Sequence, residues 1–321
     1  MTGPTAADKA TGPVTVAVAP PKRRRRRNGA PYLFSAPAML LYTVFTVIPL
    51  GYALYSSFYA RRRTGGGPLG APSTVFVRFD NYVSVLHDSR LIAGLRHLAL
   101  YGVIAVPLTL GLALLFALLL DTPGVKLRRF ARTAIFIPYA VPGVVAALMW
   151  GFMYLAGTSP FSHVTRSLGW GDIPFLGPSG IYGSLANISV WGGTGFNMLV
   201  IYTALRGIPH ELIEAARLDG ANETQIALRI KVPLVGPALI LTAVFALLGS
   251  LQLYGEPIML KPLTNSISST WAPLMSIYQD AFALDDLHDA AAASIVLALG
   301  TALVSVGVLV LVRVATRWRA R

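Results

Sequence analysis

Residues 98–120 read LALYGVIAVPLTLGLALLFALLL, without one Asp, Glu, Lys or Arg. As a helix the stretch is about 35 Å long, enough to cross roughly 30 Å of hydrocarbon. Hydrocarbon offers no partner to a free N–H or C=O, so a chain crossing it here has to be helical. Five more stretches are long and apolar enough, which puts spans at about 33–58, 98–120, 134–156, 181–205, 234–255 and 290–312. The second, third, fourth and sixth hold no Asp, Glu, Lys or Arg. Short segments of alternating hydrophobicity, the mark of a membrane barrel, do not occur. The expected fold is an all-α membrane protein with six transmembrane helices.

Composition agrees. Of 321 residues, 54% are hydrophobic and 13% charged, where soluble domains carry about 25% charged residues. The absence of cysteine excludes a disulfide framework, thiolate catalysis and a cysteine-ligated metal. The net charge of +13 includes the run Lys22–Arg27, KRRRRR. Cytoplasmic flanks of bilayer helices are rich in Lys and Arg, and such runs meet anionic headgroups, so the expected partner is the lipid bilayer and not nucleic acid. With the N-terminus in the cytoplasm, segments 1–32, 121–133, 206–233 and 313–321 hold 19 of the 27 basic residues. Arg61–Arg63 follow the first span on the outside and weigh against this, but long loops count less in the rule. The expected topology is N-in, C-in.

The expected organisation is a disordered basic cytoplasmic tail at 1–32, a transmembrane domain at 33–315, and a cytoplasmic tail at 316–321. The first span is too long for a signal-peptide core and is expected to stay in the mature protein. In the first external loop, Thr64–Pro72 (TGGGPLGAP) reads as flexible. Phe79–Leu86 and Arg90–Arg96 read as short interfacial helices. Pro107, Pro138, Pro142, Gly192, Gly193 and Gly195 are expected to interrupt the second, third and fourth spans, either for close packing or along a pathway.

The longest cytoplasmic loop, residues 206–233, reads RGIPHELIEAARLDGANETQIALRIKVP. Pro209 suits a first helical turn, and Glu211 favours the positive helix end. A helix through Leu212–Asp219 is expected to end at Gly220 in the left-handed conformation. Asn222, with Gln225 three residues on, spells a capping box for a second helix, which Pro233 closes. Ala215 and Ala216 make a small-residue surface that another backbone can approach closely. Glu214 and Arg217 are spaced to pair with each other or with a partner.

The spacing Glu214-Ala215-Ala216, three residues, Gly220, nine residues, Ile230-Lys231-Val232-Pro233 resembles the EAA loop of binding-protein-dependent ABC importer permeases. The departure is Val232, where the family pattern has Leu. Gly195–Met198, Leu205–Pro209, Asp219–Ala221 and Ser276–Ser294 resemble the carbohydrate branch, the maltose and glycerol-phosphate type. The resemblance covers about residues 33–315. It implies a type I ABC importer permease in the cell membrane, translocating a mono- or oligosaccharide. In such importers the loop is a coupling helix seated in a groove of the ATPase; here Glu214, Ala215, Ala216, Arg217, Asp219, Gly220, Ile230 and Pro233 would carry that role. The implied partners are a second homologous permease, two ATPase subunits and an extracytoplasmic solute-binding protein. ATP and Mg would be bound by the ATPase, since this chain has no phosphate loop with its Lys; Gly65–Gly70 lacks it.

Polar residues in spans tend to face the bundle interior. Asn187, Trp191, Asn197 and Tyr202 of the fourth span and Gln252, Tyr254 and Glu256 of the fifth are therefore candidate pathway residues. Rings that stack on C–H faces, with amides and carboxylates for hydroxyls, suit a neutral polyol; interhelical hydrogen bonding is the plainer explanation for each. No catalytic constellation is found, and the five scattered histidines suggest no metal site. Asp285, Asp286 and Asp289 read as a solvated acidic patch or a contact for the binding protein. The alternatives are a permease for another solute (a glycerol phosphodiester, a polyamine or a peptide) and a secondary transporter, which would be expected to carry intramembrane charges as coupling groups.

Overall fold

The computed structural model describes residues 30–64 and 71–319. Most of the expected N-terminal tail, the centre of Thr64–Pro72 and the last two residues lie outside them. The chain divides into two units, Met1–Pro49 and Leu50–Arg321. Helix α1 (Tyr32–Ser56) is long and apolar enough to cross a membrane. Phe34 and Phe45 on it are exposed.

A two-stranded antiparallel hairpin follows, β1 (Tyr59–Thr64) and β2 (Ala71–Phe76), with Tyr59 opposite Phe76 and Thr64 opposite Ala71. No strand is expected in this loop from the sequence, which reads as a flexible stretch at Thr64–Pro72 with short helices after it. Aromatic and β-branched residues at the open end, Tyr59, Val75 and Phe76, favour strands. The Asn81 amide pins the start of β1 by donating to the carbonyls of Ser57 and Tyr59, at 2.9 and 2.7 Å. Helix α2 (Asp80–His87) is the first of the two expected short helices. The second is not separate: Arg90–Arg96 belongs to the first turns of α3 (Ser89–Asp121), capped by Asp88, whose carboxylate accepts from the Arg90 N–H at 2.8 Å.

The third span is a bent pair, α4 (Arg128–Ala140) and α5 (Gly143–Tyr154), meeting at 95°. Val141 precedes Pro142 and is extended at φ −76°, ψ 126°, as the proline ring requires of its predecessor. A short helix α6 (Pro160–Ser167) leads to α7 (Ile181–Arg206). Neither α3 nor α7 is interrupted: α3 runs through Pro107 and α7 through Gly192, Gly193 and Gly195. Gly195 serves close approach instead. A Cβ there would lie 2.4 Å from the Ile135 carbonyl oxygen, so α4 backbone rests directly on α7.

Helix α8 (His210–Leu218) is followed by a second bent pair, α9 (Glu223–Leu234) and α10 (Gly236–Leu251), meeting at 69°. Pro233 therefore does not close α9. The chain turns at Val235, one residue beyond Leu234, and Pro237 fits the first turn of α10, where its missing N–H costs nothing. Helices α11 (Gly255–Leu260), α12 (Pro273–Phe282) and α13 (Leu287–Arg319) complete the chain. Among the described residues four unbroken helices are long and apolar enough to span, and up to six spans result if each bent pair is one.

In the second unit α3 packs along α7. The buried residues Ala105, Thr109, Ala113 and Ala117 recur every four positions on α3, a small-residue ridge that lets two helices approach closely. Met198, Ile201 and Leu205 of α7 are buried with the lower part of this ridge; Leu185 and Ile188 are buried with Leu98, Tyr101 and Ala105 above it. Outward-facing Val103 and Leu303 are about three-quarters exposed, as suits surfaces that meet lipid.

Candidate functional site

Two places gather the sequence candidates: the loop 206–233 and a cavity among α3, α5, α7 and α10. In the loop, α8 starts after Pro209, which occupies the capping position rather than the first turn. It ends as its sequence requires. Gly220 has φ +84°, the Gly220 N–H donates to the Arg217 carbonyl at 3.0 Å, and the Ala221 N–H donates to Ala216 at 2.9 Å. This pair of bonds satisfies the last helical carbonyls and needs the left-handed glycine. Asn222 and Gln225 form the reciprocal capping box, with both bonds at 2.9 Å.

Ile213 anchors α8 inward, whereas Glu211, Glu214, Ala215 and Leu218, which share one helical face, are exposed. Leu218 is 90% exposed. It was not among the candidates, although an apolar residue four positions after Glu214 was a legible signal. Arg217 does not pair with Glu214: its guanidinium meets Glu223 at 2.8 Å and ties α8 to α9. Ile230 is half-buried and Pro233 exposed. Lys231 of α9 reaches Asp121 at the end of α3, Nζ to Oδ2 2.6 Å, with both side chains almost fully buried.

The cavity has a volume of about 580 Å³. The break between α4 and α5 opens one wall, at Pro138, Tyr139 and Val141. Its polar groups are Tyr101, Thr109, Tyr139, Ser189, Asn197, Ser250 and Glu256. Tyr101 donates to Ser189 at 2.5 Å. The Asn197 amide nitrogen donates to the Gly193 carbonyl at 2.8 Å, which fixes the other amide atom as the oxygen; that oxygen has no partner among the described residues. Tyr139 and Phe196 stack at 5.0 Å, 20° between planes.

Of the seven pathway candidates, Asn197 and Glu256 line this cavity. Asn187 borders a neighbouring recess and donates to the Tyr154 hydroxyl at 2.8 Å. Trp191 packs edge-on to Trp150 in the apolar core. Tyr202 is buried in the lower core with the Arg132 guanidinium 6.0 Å above its ring. Gln252 is exposed. Tyr254 lies beside Tyr278 in a separate groove. Tyr101, Ser189, Tyr139 and Phe196 were missed. In the acidic patch, Asp285 pairs with Arg61 of β1 at 2.6 Å, and Asp286 accepts from the Asp289 N–H at 3.1 Å.

Comparisons with known proteins agree on one family. Residues 110–321 match the model described as binding-protein-dependent transport system inner membrane component. The sn-glycerol-3-phosphate transport system permease protein UgpA of Escherichia coli O157:H7 is 31% identical over 278 residues, covering 85% of this chain and 90% of that one. Among solved structures, a bacterial ABC transporter involved in import of the acidic polysaccharide alginate superposes with a TM-score of 0.75 at 20% identity, covering 89% of this chain and 96% of the other. A second structure, of the bacterial alginate ABC transporter with alginate pentasaccharide-bound periplasmic protein, gives 0.71 at 21% identity, covering 90% and 96%.

Proposed function

This chain belongs to the binding-protein-dependent transport system inner membrane component family, and we propose that within it the protein is the permease subunit of an ATP-driven sugar importer. Its place is the cell membrane, N-in and C-in. It works beside a second permease, two ATPase subunits that hold ATP and Mg, and a binding protein that delivers the solute from outside. The relatives named for sn-glycerol-3-phosphate and alginate support a polyhydroxylated solute, and the structure with a periplasmic protein supports delivery by a binding protein.

The observation that carries the reading is the exposed face of α8. Glu211, Glu214, Ala215 and Leu218 face outward on a helix whose C-terminal end is closed by the backbone bonds at Gly220 and Ala221 and whose far side is held by Ile213. An isolated surface helix gains nothing from a leucine in water. A groove in an ATPase gains an apolar knob, a small-residue approach and two carboxylates. Movement of the seated helix would then pass into the spans through Arg217–Glu223 and Lys231–Asp121. The central cavity, with stacked rings beside hydroxyls, an amide and a carboxylate, is the solute path.

Glu214→Lys and Gly220→Pro test this. Both variants should insert in the membrane and assemble, yet lose ATP-driven uptake while the ATPase continues to turn over. Normal uptake by either variant at verified expression overturns the coupling role.

A further inference from the structure

The central cavity has a sharply one-sided charge. Among the described residues Glu256 is the one charged residue on its wall, and no Lys, Arg or His lines it. No ion pair among the described residues includes Glu256. The other polar groups there are hydroxyls and the Asn197 amide, whose nitrogen is spent on Gly193. The ionised phosphate or carboxylate of an anionic solute is acceptor-only and needs charged or N–H donors. Here it would meet a carboxylate at close range, in a site where like charges oppose each other strongly. A neutral polyol brings hydroxyl donors for Glu256 and Asn197, and C–H faces for Tyr139 and Phe196.

We infer that Glu256 is a specificity-determining residue that makes this permease a conduit for neutral polyols and excludes anionic solutes. The inference rests on the cavity being the solute path of an importer. Cations are a separate case. A compact cation would use the carboxylate but not the donor capacity of Ser189 and Ser250; the hydroxyls of Tyr101 and Thr109 already donate, to Ser189 and to the Ala105 carbonyl.

The test uses the full importer, purified with its co-purifying ATPase and binding protein and reconstituted in proteoliposomes. The vesicles are offered a mixture of neutral oligosaccharides, sn-glycerol-3-phosphate, oligoalginate and spermidine together with a small-molecule extract of cells, and the accumulated solutes are identified by mass spectrometry. The expected result is ATP-dependent accumulation of a neutral polyol, cut about tenfold or more by Glu256→Lys and less by Glu256→Gln, which keeps an acceptor. Thermal unfolding of Glu256→Gln should match the parent, which separates selectivity from folding. Accumulation of an anion or a cation by the parent importer overturns the inference. So does equal sugar uptake by Glu256→Gln and Glu256→Lys. If nothing accumulates above ATP-free vesicles although the complex hydrolyses ATP, the importer reading itself fails, and the filter with it.

Discussion

Lys231 Nζ lies 2.6 Å from Asp121 Oδ2, and each side chain is less than a tenth exposed. The pair joins the last turns of the cytoplasmic loop to the end of α3 across 110 positions of sequence. Removing one partner strands a buried charge, so Lys231→Ala should destabilise the protein by about 3–5 kcal/mol. Replacing both, as Lys231→Met with Asp121→Leu, should recover most of that loss, because the desolvation cost of both ions disappears with them. Thermal unfolding in detergent of the two singles and the double measures the difference. If the double variant is as unstable as the singles added together, the two residues are not a pair in the folded protein.

Gly195 sets the distance between α7 and the bend at α4. Gly195→Ala puts a Cβ against backbone atoms of Ile135 and Phe136, which cannot rotate away. The expected cost is about 1–3 kcal/mol, as for other overpacked sites. Gly192, three residues earlier, has nothing within 4 Å of its Cβ position. Gly192→Ala should leave the unfolding temperature nearly unchanged. Equal effects at the two positions would contradict the close approach.

The capping box makes a local prediction. Asn222→Ala removes the acceptor of the Gln225 N–H and should cost about 1 kcal/mol, most of it recovered by Asn222→Ser. Hydrogen exchange should quicken at residues 222–226 and stay unchanged in α3 and α7. Uniform change across the chain would mean that the cap acts on global stability instead.

Asp88 predicts an acid limb. Its partial burial opposes ionisation, but hydrogen bonds from the side chain and backbone N–H of Arg90 prevail and hold the carboxyl below its usual range. Arg90 also reaches Asp280 at 2.9 Å. A carboxyl lowered in the folded state binds fewer protons than in the unfolded one. Its contribution is therefore fully present above the ordinary carboxylate pKa near about 4, and is lost as pH falls through the lower folded value. Unfolding temperatures followed from pH 7 to pH 3 should show this contribution constant down to about pH 5 and failing below about 4. In Asp88→Asn that part of the acid loss should be missing; an unchanged acid limb in the variant would refute the assignment.

The sequence by itself determined the apolar lengths, the charge distribution and the local stop signals. Gly220 is left-handed and Asn222–Gln225 close a capping box because both depend on residues within one turn. Polar type, however, does not say which way a helical residue faces. Asn197 and Tyr202 looked equivalent, yet five positions on a helix turn about 140°, so one reaches the cavity and the other the lower core. Prolines read as interruptions behaved in two ways: Pro107 sits in an unbroken helix packed along α7, while Pro142 turns the chain by 95°. The hairpin, the Arg217–Glu223 tie, the Lys231–Asp121 pair and the solitary Glu256 on the cavity wall were decided by tertiary structure alone. Each depends on a partner brought in from elsewhere in the fold or, for Glu256, on the absence of a basic one at its wall; periodicity and spacing carry no record of that.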